Sequence, residues 1–132
     1  MLKFTRKIEY ALIALRHIQA AGPGAICSAR EISRQYNIPF QLLAKILQEL
    51  GRKKIIEPIQ GPTGGYKLLA DLETLSLTDF LEALEGPLGI TNCYLDEDCE
   101  LVKMCNIRSP IQRINENVRS MFDKITVYDV TH

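Results

Sequence analysis

The stretch "SAREISRQYNIPFQLLAKILQEL", residues 28–50, carries the strongest structural signal in the chain, because it predicts two short helices joined by a tight turn. Ser28 and Glu31 have the spacing of a capping box, which marks the start of the first helix. Asn37 tolerates the left-handed backbone that a turn requires. Pro39 suits the first position of the second helix, where its missing N–H costs nothing.

The second predicted helix, which ends near residue 50, has two faces of different chemistry. Gln41 and Lys45 lie on the face that should point to solvent. A glutamine there can pair with adenine or reach a phosphate, and a lysine can reach guanine or the backbone. The opposite face is apolar at helical spacing and predicts a buried stripe made of Leu43, Ile46, Leu47 and Leu50.

The next stretch, "IIEPIQGPTGGYKLL" at residues 55–69, predicts a β-hairpin, since two β-prone runs flank a glycine-rich turn. Helix, turn, helix and hairpin follow one another as in a winged helix-turn-helix, whose second helix enters the major groove. The small residues of the hairpin tip let backbone N–H groups approach phosphates or the minor groove. We therefore predict DNA contacts from Ser28, Arg30, Gln41, Lys45, Gln60, Gly61, Thr63 and Tyr66.

Three further helices are predicted, over residues 3–20, over 76–86 and after residue 109. Ser109 as cap and Pro110 at the first helical position begin the last one. Its apolar stripe is long for the rest of the chain to cover, so we predict a helix-to-helix homodimer; packing on its own domain is the alternative. The stripe consists of Ile111, Ile114, Val118, Met121 or Phe122, Ile125 and Tyr128.

The predicted fold is therefore mainly α with a small β-hairpin wing. We expect a winged helix-turn-helix over residues 1–85, a segment with three cysteines over 86–108, and a long dimerisation helix over 109–132. The net charge of zero conceals two opposite halves. Residues 1–70 hold eleven Lys/Arg and four Asp/Glu, or +7, and residues 71–132 hold five and twelve, or −7. A basic half favours a polyanionic partner such as double-stranded DNA, although solvated charge without a partner explains it equally well.

Cys93, Cys99 and Cys105 recur at intervals of six residues in a segment without periodicity. Thiolates suit iron–sulfur clusters, zinc or copper(I), and three of them require a fourth ligand from elsewhere. The spacing is not the C-x2-C of a zinc knuckle. Free redox thiols and small core residues remain open alternatives. We predict that Cys27, the fourth cysteine, is a small buried residue.

Three motifs together resemble the IscR/NsrR/RirA-type family of bacterial winged-helix regulators over essentially the whole chain. They are "KIEYAL" at 7–12, "GPTGGY" at 61–66 and the C-x5-C-x5-C pattern at 93–105. The resemblance implies a homodimer that binds a 2Fe–2S or 4Fe–4S cluster and changes its DNA binding with cluster state. Cluster state then reports iron, redox state or nitric oxide. The implied cluster ligands are Cys93, Cys99 and Cys105.

The chain departs from this family's pattern at several positions. Where IscR-like members have a fourth-ligand histidine, this chain has Arg108, which cannot ligate iron. In NsrR-like members the fourth ligand is a carboxylate from the first helix of the other subunit, and Glu9 occupies the matching place in this chain. A solvated acid on the helix surface is an equal alternative for Glu9. Gln60 and Ala44 replace an arginine and a glutamate of IscR-like members, which predicts a different target sequence.

Four other functions compete with this interpretation of the sequence. An enzyme is disfavoured because His17 and His132 have no neighbouring nucleophile or triad signature. A cluster-free thiol regulator of the same fold, a zinc-stabilised DNA-binding protein and a small iron–sulfur carrier without DNA binding remain alternatives. No apolar run is long enough to span a bilayer and no secretory signal is evident, so we expect a cytoplasmic protein with reduced thiols and no membrane partner.

Overall fold

The computed structural model describes residues 4–86 and 107–132, and within them it shows a mainly helical fold with one hairpin. The predicted fold class is confirmed. The predicted boundary segment 86–108, with its three cysteines, lies almost entirely outside the described residues. The elements are α1 (Arg6–Ala20), α2 (Ala29–Tyr36), α3 (Phe40–Arg52), β1 (Ile56–Ile59), β2 (Gly65–Leu68), α4 (Leu77–Glu85), α5 (Arg108–Asp123) and α6 (Val127–Thr131).

The turn between α2 and α3 forms largely as predicted. The Ser28 side chain accepts a hydrogen bond from the Glu31 backbone N–H at 3.1 Å, and Asn37 ends α2 with a left-handed φ of 54°. Pro39 differs by one position: it is the N-cap of α3, not its first helical residue. Its ψ of 124° is extended, while its carbonyl already accepts from the Leu43 N–H at 3.0 Å, as an N-cap carbonyl does.

The hydrophobic core lies between α1, α3, α4 and the base of the hairpin. The apolar stripe of α3 is buried as predicted, with none of its four members more than 1% exposed. Each fully buried Leu or Ile side chain contributes roughly 1.5–3 kcal/mol of transfer free energy, so this stripe fixes α3 against the core. The outward face of α3 is consequently held in one orientation. Leu43, Ile46, Leu47 and Leu50 meet Phe80, Ile8, Leu15 and Ile56 in this cluster.

The hairpin pairs β1 and β2 in antiparallel register from Ile56↔Leu68 to Ile59↔Gly65. Its outer edge is extended by Cys27, which exchanges two backbone hydrogen bonds with Tyr66, at 2.9 and 2.8 Å. A Cβ on Gly65 would lie 2.5 Å from the Cys27 carbonyl oxygen, so only glycine fits there. The glycines of "GPTGGY" thus allow the close approach of the wing to the start of α2.

The C-terminal region differs most from its prediction. The last long helix begins at Arg108 with Ile107 as N-cap, so Pro110 is the third helical residue instead of the first, still inside the first turn. It ends at Asp123, and Thr126 starts a separate helix α6 through a reciprocal capping box with Asp129. The predicted stripe through Tyr128 is therefore interrupted.

A short set of backbone bonds explains this break. The Leu77 N–H donates to the Ile125 carbonyl at 2.7 Å, and the Val127 N–H donates to the Leu75 carbonyl at 2.9 Å. These bonds fix the chain around Thr126 to the start of α4 in an extended conformation, which a continuous helix would not allow. Among the described helices, none has the length and apolar character required to cross a membrane.

Candidate nucleic-acid interface and metal-ligand residues

Helix α3 presents its polar side to solvent at the positions predicted for DNA contact. Gln41 and Lys45 are exposed, one turn apart on the same face. Arg30 of α2 is also exposed, and its guanidinium lies over the Phe40 ring at 5.4 Å from the centroid. This cation–π contact holds the Arg30 charge beside the first turn of α3.

The N terminus of α3 is itself suited to an anion. Pro39 makes no side-chain capping hydrogen bond, and the first turn carries no acidic residue. The N–H groups of this turn and the positive end of the helix dipole therefore point outward. Phosphates bind at helix N termini for this reason. Arg30 adds a full positive charge at the same place.

The wing residues fall into two groups. Gln60, Gly61 and Thr63 are exposed at the tip, with Gly61 at a φ of +112°. Tyr66 is only partly exposed, packs against the core and pairs with Cys27 through the backbone. Ser28 likewise has a structural role as the cap of α2. The tip residues are therefore exposed for contact with a partner such as DNA, whereas Tyr66 and Ser28 position the wing and α2.

In the basic half of the chain, residues 1–70, the four acidic side chains pair with groups away from the outward face of α3. Each of its four carboxylates lies within 4.0 Å of a cationic or histidine side chain that is not on the outward face of α3. The pairs are Arg6–Glu9 at 3.2 Å, Lys7–Glu49 at 2.8 Å, His17–Glu31 at 2.6 Å and Lys67–Glu57 at 3.4 Å. The charges of Arg30 and Lys45 are thus not the ones these acids neutralise.

Glu9, the predicted carboxylate ligand, lies in the first turn of α1 with its side chain 45% exposed. An exposed i,i+3 pair with Arg6 is worth only a few tenths of a kcal/mol, so another cation displaces it easily. The same turn is joined to the end of α4: the Thr5 hydroxyl donates to the Glu85 carboxylate at 2.7 Å, and the Lys7 ammonium donates to the Leu84 carbonyl at 2.8 Å. The first turn of α1, which carries Glu9, therefore lies against the end of α4, the last described element before residue 87. Cys93, Cys99 and Cys105 lie outside the described residues.

The structure also assembles a cluster that the sequence did not indicate. His17, Cys27 and Glu31 each offer one metal-ligand atom, and these atoms all lie within 4.8 Å of one another. Cys27 is buried, as predicted, and burial raises the pKa of its thiol, together with the charge of the Glu31 carboxylate and the hydrogen bond to it. Spacings of ten and four residues carry no ligand signal, so only the packing of α1 on α2 revealed this cluster.

Comparison with known proteins gives a consistent result. Residues 4–132 match the sequence profile of the Rrf2 family, whose description is iron-dependent transcriptional regulator. The HTH-type transcriptional regulator NsrR of Bacillus subtilis is 24% identical over 131 residues, which cover 98% of this chain and 90% of that protein.

Two solved structures agree in fold. CymR, the global cysteine regulator of B. subtilis, shares 25% identity with a TM-score of 0.74, over 99% of this chain and 97% of that one. IscR of T. potens, at 22% identity, has a TM-score of 0.65 over 98% of this chain and 85% of that one. The proteins that this chain resembles are transcriptional regulators, not enzymes.

Proposed function

The chain belongs to the Rrf2 family of transcriptional regulators, and from that premise we propose that it is a homodimeric DNA-binding regulator controlled by an iron–sulfur cluster. Its thiolate ligands are Cys93, Cys99 and Cys105, and Glu9 is the candidate fourth ligand. Double-stranded DNA is its partner and the cytoplasm its place of action. The cluster state reports iron supply, redox state or nitric oxide.

The observation that carries the DNA-binding part is the first turn of α3. Its N–H groups are uncapped by a side chain, Arg30 is fixed beside it, and Gln41 and Lys45 project from the next positions. A phosphate at this N terminus would set the helix in the major groove, where the two outward side chains reach base edges. Gln60, Gly61 and Thr63 then approach the backbone or the minor groove from the wing.

The homodimer is supported by exposed apolar residues along α5 and at its N-cap, Ile107. Ile107, Ile114 and Met121 are 57%, 47% and 53% exposed. They recur every seven residues, so they lie along one side of the helix, as in the seam of paired helices. Against a second copy, this seam forms a self-complementary interface. Two recognition helices are then available for half-sites about 34 Å apart.

The cluster is supported by donor chemistry. Three soft thiolates are the ligand type of iron–sulfur clusters, and a carboxylate supplies an exchangeable fourth bond. When bound, the cluster supplies redox and ligand-exchange chemistry that the side chains lack. Arg108 stands where IscR-like members have a histidine, which favours Glu9 instead. In the NsrR-like arrangement the ligand is the partner subunit's Glu9.

Position in the fold suggests how ligation controls DNA binding. Residues 87–106 connect α4 of the winged domain to α5. The two helices contact each other through the Arg119–Glu82 ion pair and a hydrogen bond from the Thr78 hydroxyl to the Arg119 carbonyl at 3.4 Å. We infer that cluster binding restrains residues 87–106 and in this way sets the angle between α5 and the winged domain. A change of a few ångströms in recognition-helix spacing prevents simultaneous docking on two half-sites.

A cluster-free thiol regulator of the same fold is the second candidate. It is favoured by the likeness to CymR over nearly the full chain, since the solved CymR structures include an oxidised form of the Staphylococcus aureus protein. In this alternative the three cysteines act as oxidisable thiols.

One experiment separates the two candidates: anaerobic purification followed by visible absorption and iron and sulfide counts per chain. We expect coloured protein with equal iron and sulfide, and loss of the spectrum in Cys99→Ala. Cys27→Ala is the matched control and should keep the spectrum. Full colour in Cys99→Ala would remove this residue as a ligand, and colourless protein that still binds DNA would favour the thiol regulator.

Glu9 is tested in the same preparation. Glu9→Ala should shift the visible spectrum or speed its decay in air, while Glu73→Ala, an exposed acid on a loop, should do neither. An unchanged spectrum and decay rate in Glu9→Ala would exclude this carboxylate.

A further inference from the structure

Three parts of the winged domain meet at one point near the start of α2. His17 projects from the last turn of α1, Cys27 precedes the α2 cap, and Glu31 lies in the first turn of α2. His17 Nε2 and Glu31 Oε2 are 2.6 Å apart, and the Cys27 sulfur completes the group within 4.8 Å. None of these atoms belongs to the predicted cluster ligands.

The three donors match the ligand types of zinc. Zinc binds thiolate sulfur at about 2.3 Å and imidazole nitrogen or carboxylate oxygen at about 2.0–2.2 Å, nearly always in tetrahedral geometry. Such bond lengths place the ligand atoms roughly 3.3–3.8 Å from one another. The His17–Glu31 separation of 2.6 Å is below that range, and no two of the three ligand atoms are more than 4.8 Å apart. Shifts of roughly 1 Å or less in the ligand atoms therefore bring them to the zinc distances.

The outer nitrogen of His17 is already held as in established metal sites. Its Nδ1 lies 2.9 Å from the Tyr36 hydroxyl, and the Gln35 amide donates to that hydroxyl at 3.4 Å. Metal-binding histidines almost always donate their second ring N–H to such a partner, which fixes the tautomer. The carboxylate only accepts, so at 2.6 Å the Nε2–H of His17 donates to Glu31. A bound cation takes the place of this proton, which passes to solvent, while Nδ1 keeps its hydrogen bond with Tyr36.

The surroundings provide both a route of entry and a place for the displaced proton. The Glu31 side chain is 50% exposed and that of His17 is 13% exposed, while Cys27 is buried. A cation enters past the carboxylate. The sulfur–hydrogen bond of Cys27 is then replaced by a sulfur–metal bond, and the proton leaves to solvent. Solvent on the Glu31 side supplies water as the fourth ligand.

We propose that His17, Cys27 and Glu31 form a binding site for a divalent cation of the zinc type, separate from the cysteines of residues 93–105. Cys27 is joined to Tyr66 of the wing by two backbone hydrogen bonds, and Glu31 belongs to the first helix of the helix-turn-helix. The bound ion therefore fastens α1, the start of α2 and the edge of the wing to one another.

Cobalt(II) is the probe of choice, because a thiolate–cobalt bond gives a charge-transfer absorption that oxygen and nitrogen ligands do not. The other three cysteines are changed to serine in the full chain, so that Cys27 is the remaining thiol. We expect one Co²⁺ per chain, with that absorption and the intense visible bands of four-coordinate cobalt. The absorption should vanish in Cys27→Ser.

The chain has two histidines, which gives a matched pair of variants that keep Cys27. His17→Gln should weaken Co²⁺ binding by more than 100-fold, because it removes a direct ligand, whereas His132→Gln should leave it unchanged. Tyr36→Phe should weaken it by roughly 10- to 100-fold, as loss of an outer hydrogen bond does. Zn²⁺ should raise the thermal unfolding midpoint in the serine background and in His132→Gln, but not in His17→Gln.

Equal Co²⁺ affinity in the two histidine variants, or binding without the thiolate absorption, would overturn the proposal. If Cys27→Ser fails to fold, the comparison of His17→Gln with His132→Gln still tests the proposal. Neither result bears on the iron–sulfur proposal, since the two sites share no ligand and the cobalt experiment is done without Cys93, Cys99 and Cys105.

Discussion

Helices α3 and α5 are both amphipathic and of similar length, yet their apolar residues are placed in opposite ways. In α3 the four leucine and isoleucine residues of the inner face are at most 1% exposed. In α5, Ile114 and Met121 remain about half exposed, while the polar Asn115 is buried. Helix α3 buries its whole apolar face within the chain, whereas in α5 Phe122 packs against the core and Ile114 and Met121 stay exposed.

The two helices therefore differ in which face stabilises the fold and which face remains exposed for binding. The inner face of α3 stabilises the winged domain, so its outer polar face is rigidly displayed. The apolar seam of α5 contributes little to the folding of one chain and is available for a second copy. The proposals for DNA binding and dimerisation thus rest on complementary faces of the two helices.

Leu47→Ala tests whether the inner face of α3 stabilises the fold, and it should have the largest effect. It removes a fully buried side chain from α3, which lowers the free energy of unfolding by about 2–5 kcal/mol. Urea unfolding followed by circular dichroism measures the change. Leu42→Ala, on the exposed side of the same helix, should alter it by less than about 0.5 kcal/mol. Equal losses would mean that α3 does not bury one face as described.

Met121→Asp tests whether the exposed apolar side of α5 forms the dimer interface. A carboxylate in an apolar seam is costly to desolvate, so we expect the dimer dissociation constant to rise roughly 100-fold, equivalent to about 2.7 kcal/mol. Sedimentation over a concentration series measures it, and circular dichroism confirms that the monomer stays folded. The control is Leu69→Asp, which changes a residue just as exposed but outside α5. A dimer equally weakened by both variants would contradict the assignment of the seam.

Lys45→Ala tests whether the outer face of α3 contacts DNA bases or phosphates. If this side chain reads a base, specificity at one base pair relaxes by about 1–3 kcal/mol; if it meets a phosphate, affinity falls uniformly and the salt slope drops by roughly one. Titration of labelled DNA at several salt concentrations distinguishes the two. Lys124→Ala, exposed after α5, is the control of equal charge. Unaltered binding in Lys45→Ala would show that another surface reads DNA.

Gly51→Ala should have the smallest effect and the opposite sign. Gly51 lies inside α3, and an added Cβ would make ordinary contact with Pro58 Cδ at 3.8 Å. Alanine in place of a helical glycine stabilises by about 0.5–1 kcal/mol, measurable as a higher urea midpoint. Gly65→Ala is the contrasting variant, since its Cβ meets the Cys27 carbonyl and should destabilise the wing. A loss of stability in Gly51→Ala would mean that α3 is distorted at this end.

Much of the winged domain was predictable because its signals are local. The Ser28 cap, the left-handed Asn37 and the buried stripe of α3 depend on neighbours within one or two turns. The hairpin followed from the glycine-rich turn in the same way. The predicted DNA-contacting residues and cluster ligands remain predictions, with the three ligand cysteines outside the described residues.

The last helix was predicted less accurately, for a physical reason. Its apolar periodicity continues through Ile125 to Tyr128, so the pattern alone favours one helix. The Thr126 capping box and the backbone bonds to Leu75 and Leu77 decide otherwise. The capping signal was readable in the sequence, but the bonds to the α4 start were not.

Local sequence signals were enough to locate most helices and the hairpin, because capping, periodicity and turn chemistry act over a few residues. The sequence also determined the family, through motifs that a profile recognises. The pairing of Cys27 with Tyr66 in the wing and the contact between His17 and Glu31 became visible in the folded chain alone. These contacts join residues 39 and 14 positions apart, and their geometry depends on how whole helices pack, which no local pattern encodes.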